Sequence, residues 1–133
     1  MASREFTWNS PRLRILLADD ELGIRSVVGR CLEGDGHYVE TADDGHQALE
    51  KFKARRWDLV ITDRVMPKLG GDCLAKAIKQ IHPNTPVILV TGFAGNAPDV
   101  RGDGSPFDMV ISKPFRHETI RAAIASFRVR DRP

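Results

Sequence analysis

Leu59-Val60-Ile61-Thr62-Asp63-Arg64-Val65-Met66-Pro67 sets the fold of this chain. Residues 59–62 are continuously apolar or β-branched, the pattern of a strand covered on both faces. The run then ends on Asp63, and a carboxylate at the end of a buried strand is costly unless a cation or hydrogen bonds receive it. Other apolar runs end in the same polar manner. Residues 13–18 run into Asp19-Asp20, Val87–Thr91 closes on Thr91, and Met109–Ser112 runs into Lys113. A fifth run, Tyr38–Ala42, mixes Glu40 and Thr41 with Tyr38 and Val39, which suits an edge strand. Strand ends carrying Asp-Asp, Asp, Thr and Lys point to one polar site on one edge of a parallel sheet.

Helical spacing fills most of the gaps. Ile24, Val27, Val28, Cys31 and Leu32 fall on one stripe, stopped by Gly34 and Gly36. Ala48, Leu49 and Phe52 mark a second helix entered through Asp43-Asp44-Gly45. Leu74, Ala77, Ile78 and Ile81 mark a third, closed by His82-Pro83, and Ile120, Ala123, Ile124 and Phe127 mark the last. Strand and helix alternate with short turns, so the expected fold is a doubly wound α/β sandwich of five parallel strands. The gap between the fourth and fifth strands is different. It holds four glycines and two prolines, each interior Gly costing about 1 kcal/mol and each Pro about 3. A short or irregular fourth helix is expected there, one turn near residues 98–101.

Composition narrows the function classes. The 133 residues suit one domain, and 41% hydrophobic content is enough for a core. A net charge of +2 is no basis for binding nucleic acid or membrane. Arginines 116, 121, 128, 130 and 132 crowd the C-terminus, but no reading helix or aromatic platform accompanies them, and a solvated helix face explains them. Cys31 and Cys73 lie apart, each in a helical pattern, and are expected to be buried thiols of a reducing compartment. Residues 1–11 lack an apolar signal region, and no stretch approaches 18 apolar residues. A cytoplasmic location is expected.

The site residues each have an ordinary reading. Asp19-Asp20 followed by Glu21 suits a helix start. Asp63 suits a turn, Thr91 a strand-end hydroxyl, Lys113 a surface lysine. All four ordinary readings would have to coincide on one edge of one sheet, however, where open α/β sheets bind their ligands. Two carboxylates ~4 Å apart repel by ~4 kcal/mol at an effective dielectric of 20. Three of them call for a cation beyond Lys113, and a hard divalent ion such as Mg2+ suits oxygen donors.

Residues 16–21 (Leu-Leu-Ala-Asp-Asp-Glu), Asp63 with Met66-Pro67, Thr91-Gly92 and Lys113-Pro114-Phe115 together resemble the receiver domain of response regulators. The likeness spans 12–128, leaving 1–11 as an extension and 129–133 as a tail. It implies a flavodoxin-like sheet of order 2-1-3-4-5. It implies that Asp63 accepts a phosphoryl group from a phosphohistidine of a histidine kinase or histidine phosphotransfer protein. Asp20, Asp63 and the Val65 carbonyl would bind Mg2+, Asp19 acting through metal-bound water. Thr91 and Lys113 would contact phosphoryl oxygens, and the Lys113-Pro114 peptide is expected to be cis. The implied protein is a signalling phosphoacceptor that assists its own phosphorylation and slow dephosphorylation, not an enzyme in the usual sense. A free-standing receiver or one excised from a hybrid kinase is expected, with no output domain expected after the last helix and its oligomeric state open.

The likeness breaks at particular positions. Val110 stands where the family often carries a rotating aromatic, and the fourth helix is degraded. Val65 and Phe93 flank the route of attacking water and cannot orient it by hydrogen bonding, so slow self-dephosphorylation is expected. Rival readings remain: a degenerate receiver acting as a phosphorylation-independent interaction module, or a phosphatase of the haloacid dehalogenase type. The latter would want an acid where Val65 stands and a cap insertion. A flavin module would want a phosphate-cradling loop where Asp19-Asp20-Glu21 would repel phosphate.

Overall fold

The computed structural model describes residues 12–92 and 104–131, the last four by backbone alone. Strands β1 (Arg14–Ala18), β2 (Tyr38–Ala42), β3 (Leu59–Asp63), β4 (Val87–Thr91) and β5 (Met109–Ser112) alternate with helices α1 (Leu22–Gly34), α2 (Gly45–Ala54), α3 (Gly71–Ile81) and α4 (His117–Asp131). The sheet is parallel throughout, in the order β2-β1-β3-β4-β5, as expected. Strand β2 lies at an edge and is only half-buried, whereas β3 and β4 are buried almost end to end.

The pleat divides the core. Ile15, Leu17, Ile61, Ile88 and Val90 face α1 and α4, meeting Val28, Leu32, Ile120 and Phe127. Leu16, Ala18, Val60 and Val87 face α2 and α3, meeting Ala48, Phe52, Leu74 and Ile78. Each of the larger of these side chains gains roughly 1.5–3 kcal/mol on leaving water. Because both faces are covered, β3 and β4 carry polar residues only at their last positions, and polar groups gather there.

Some expectations need correction. Val27 was expected on the buried stripe of α1 but is 63% exposed. Val28, Gly29 and Leu32 form the buried face, and Val27 lies on its outer flank. Cys73 is exposed and Cys31 half-buried, not both buried. The buried stripe of α3 is Gly71, Leu74, Ala75 and Ile78, and position 73 lies nearly on the opposite face of the helix. Ile81, at the end of α3, is half-exposed. Helix α4 continues to Asp131, beyond residue 128. Phe93 and the turn expected near 98–101 lie outside the described residues. No helix among the described residues is long and apolar enough to cross a membrane.

Candidate functional site

Register brings the strand ends level. Ala18 pairs with Thr62, so Asp19 and Asp63 follow side by side. Asp63 pairs with Val90, and Thr91 is the next residue of β4. Thr91 pairs with Ser112, and the Lys113 N–H donates to the Thr91 carbonyl at 3.0 Å. The five polar residues expected at the strand ends thus share one edge. Thr91 is buried, Asp19 is buried, Asp63 is half-buried and Asp20 is exposed.

Lys113 is the hub. Its Nζ lies 3.0 Å from Asp19 Oδ2, 3.3 Å from Asp63 Oδ2 and 3.4 Å from Glu21 Oε1. Carboxylate oxygens of Asp19, Asp20 and Asp63 lie within 4.8 Å of one another. Asp63 Oδ1 accepts its neighbour's N–H, from Arg64, at 2.7 Å. Asp19 Oδ1 accepts the Glu21 N–H at 2.9 Å, which closes a turn ahead of α1. The N-cap itself is Glu21, which makes no side-chain cap, and no acid lies in the first turn, so the helix-cap reading of Asp19-Asp20 does not hold. The Asp19 carbonyl receives Arg25 Nη1 at 2.7 Å, fixing the turn into α1. The Lys113-Pro114 peptide is cis.

Burial raises the Asp63 pKa above its ordinary 3.8. Lys113 opposes that rise but is shared, and Asp19 adds repulsion. For Lys113, burial disfavours the charge, yet the hydrogen bond to Asp19 and attraction by Asp63 and Asp19 outweigh it and raise its pKa above 10.5. The lysine is therefore charged at neutral pH. Because the folded-state pKa of Asp63 lies above its unfolded value, its stabilising contribution is complete below about 3.8 and is lost as pH rises through the folded value. Without metal, Asp63→Asn should therefore gain stability relative to wild type as pH rises from about 3.5 toward neutrality. Urea denaturation in EDTA at several pH values measures this, and a stability difference independent of pH would refute it.

The structure adds residues that the strand-end pattern did not select. Glu21 is a third acid on Lys113, and Arg25 holds the Asp19 backbone. Gly71 sits against the Asp63 backbone, where an added Cβ would lie 2.1 Å from the Asp63 carbonyl oxygen. Gly45 meets the Leu69 backbone just as closely, at 1.9 Å from its oxygen. The Gly70-Gly71 pair soon after Met66-Pro67 is the sequence signal for the first of these contacts. Val65 follows the site and is 66% exposed.

Residues 15–125 match the response regulator receiver domain family. The response regulator receiver protein CpdR of Brucella abortus is 36% identical over 102 residues, which is 77% of this chain and 85% of that protein. Response regulator MprA of Mycobacterium leprae is 31% identical over 121 residues, 91% of this chain but 53% of MprA, so the chain spans about half of that relative. The chemotaxis protein CheY4 of Vibrio cholerae superposes with a TM-score of 0.80 at 30% identity, covering 87% of this chain and 98% of that one. TrrA of Thermotoga maritima, in a complex with Mg2+ and BeF, superposes at 0.76 with 31% identity, covering 86% and 97%.

Proposed function

Because the chain belongs to the response regulator receiver domain family, we propose that Asp63 is the residue on which its two-component system places a phosphoryl group. The domain is a phosphoacceptor receiver of two-component signalling. One observation carries the assignment to Asp63: this half-buried carboxylate touches Lys113 and lies among the oxygens of Asp19 and Asp20. Three acids beside one lysine leave a net negative pocket of hard oxygen donors, which fits a small divalent cation. Asp19, Asp20 and Asp63, with the Val65 carbonyl, would hold Mg2+. When bound, it supplies positive charge to the phosphoryl oxygens.

The donor is a phosphohistidine of a histidine kinase or phosphotransfer protein. A carboxylate oxygen of Asp63 attacks phosphorus, and the P–N bond breaks with its electron pair staying on the imidazole nitrogen. The product is an acyl phosphate. Lys113 holds a compact, mobile charge that follows the new oxygens, and the Thr91 hydroxyl donates to them. Signalling then proceeds through protein contacts. A domain beginning near residue 12 is supported by a described core and by a family match over 15–125, and its last helix carries it to Asp131, past the expected 128. Incubation with acetyl phosphate and Mg2+, followed by intact-mass measurement, tests the reading. A wild-type protein that takes up no phosphoryl group would leave the interaction-module reading in its place.

A titration of Mg2+ against the apo protein should raise Tm. At ten times the Kd the gain is about 1.4 kcal/mol, or roughly 5 °C for a domain of this size. Asp20→Asn should abolish most of that rise. A melting curve unmoved by Mg2+ would count against the metal site.

The aspartyl phosphate should be long-lived, because the exposed Val65 offers no hydrogen bond to an attacking water. Val65→Asn should speed its loss several-fold, followed by mass spectrometry after removing the donor. Loss of the wild-type phosphoryl group within seconds would defeat this expectation.

A further inference from the structure

A second feature lies at the far end of the sheet, before β3 and β4 begin. A cavity of about 290 Å3 opens there between the ends of α2 and α3. Phe52 and Trp57 form its buried apolar floor, and the half-exposed Ile81 forms one wall. Lys53, Arg56 and His82 stand exposed on its rim, and no acidic side chain lines it.

The floor is rigid. The Trp57 indole N–H donates to the Lys51 carbonyl at 3.0 Å, and Trp57 stacks on Tyr38 with centroids 6.3 Å apart. Arg55 lies over both rings, at 5.9 and 6.0 Å, and pairs with Glu40 at 3.1 Å and the Tyr38 hydroxyl at 3.1 Å. Arg55 is thus engaged within the fold, whereas Lys53 and Arg56 extend into solvent.

We propose that this cavity docks an acidic protein segment that inserts one apolar side chain against Trp57 and Ile81. Charge selects the partner, because the charged side chains that line the cavity, Lys53, Arg55 and Arg56, are all basic. The position of each charge selects a peptide over a free anion. Helices α2 and α3 both end beside this cavity, so their negative dipole ends lie next to it, while the cations stand at the rim. A segment that puts apolar surface in the centre and carboxylates at the rim satisfies both. The cavity is also at or below the lower end of small-ligand sites, and Trp, Tyr and Arg are the residues in which binding energy concentrates at protein interfaces. Strand β3 separates the cavity from Asp63 by about 16 Å, so a docked partner leaves Asp63 open to its phosphodonor.

The test uses the full chain labelled with 15N. It is titrated with the peptide acetyl-Glu-Asp-Leu-Glu-Asp-amide, with the same peptide carrying Ser for Leu, and with ATP. The leucine peptide should saturably shift the Trp57 indole N–H and the amides of Ile81 and His82. The serine peptide should bind at least fivefold more weakly. The double variant Lys53→Glu/Arg56→Glu should weaken the leucine peptide about tenfold while taking up phosphoryl groups as wild type does. Equal binding of the two peptides, tighter saturation of the same residues by ATP, or no shift at millimolar peptide would each overturn the proposal.

Discussion

Asp63→Asn should reduce phosphoryl uptake from acetyl phosphate in the presence of Mg2+ by more than about two orders of magnitude, the scale of losing a nucleophile. Asn keeps the shape of the side chain but offers no carboxylate to attack phosphorus. The fold should tolerate the change. Lys113 retains Asp19 at 3.0 Å and Glu21 at 3.4 Å, so removing one acid does not strand the lysine. It also relieves a carboxylate whose ionisation burial opposes, so without metal the variant should be at least as stable as wild type at neutral pH. A loss of uptake therefore reports chemistry and not unfolding, and circular dichroism of the same sample separates the two. A phosphoryl adduct of undiminished yield on the variant would sink the assignment, and peptide mapping of that adduct would show which residue carried it.

Gly71→Ala should destabilise the protein by about 3 kcal/mol, lowering Tm by roughly 10 °C, and should impair phosphoryl uptake with it. The added Cβ would stand 2.1 Å from the Asp63 carbonyl oxygen and 3.0 Å from the Arg64 Cα. Those atoms are backbone, so no rotamer change relieves the contact. The loop between β3 and α3 has little slack to give. Gly71 N–H donates to the Arg64 carbonyl at 2.7 Å, and Lys68 already takes a left-handed conformation with φ 70°. Relief must come from moving the end of β3, which carries Asp63. Thermal melts and acetyl phosphate labelling measure the two effects. A variant with wild-type Tm and uptake would show that the helix start shifts freely.

Much of this was legible in the chain. Continuous apolar runs ending in Asp19-Asp20, Asp63, Thr91 and Lys113 predicted both the buried parallel strands and the shared edge, because period and polarity are local properties. Helix stops at Gly34 and His82 were read in the same way. The stripe of α1 was read one residue too wide, because spacing alone does not show which flank of a helix meets the sheet. Cys73 was misplaced against the spacing of Leu74 and Ile78, which puts it nearly on the opposite face of the helix.

The sequence by itself determined the parallel α/β class, the acidic edge and the lysine that answers it, since these follow from continuous apolar runs and the residue types at their ends; the strand order came only with the family resemblance. Tertiary structure alone decided how that edge is shared. Lys113 divides its charge among Asp19, Asp63 and Glu21, which are 94, 50 and 92 residues away in the chain. The same holds for Gly71 against the Asp63 carbonyl and for the aromatic floor beneath Arg55. Such contacts depend on the distance between backbones that pack from separate parts of the chain, and local pattern carries no record of that distance.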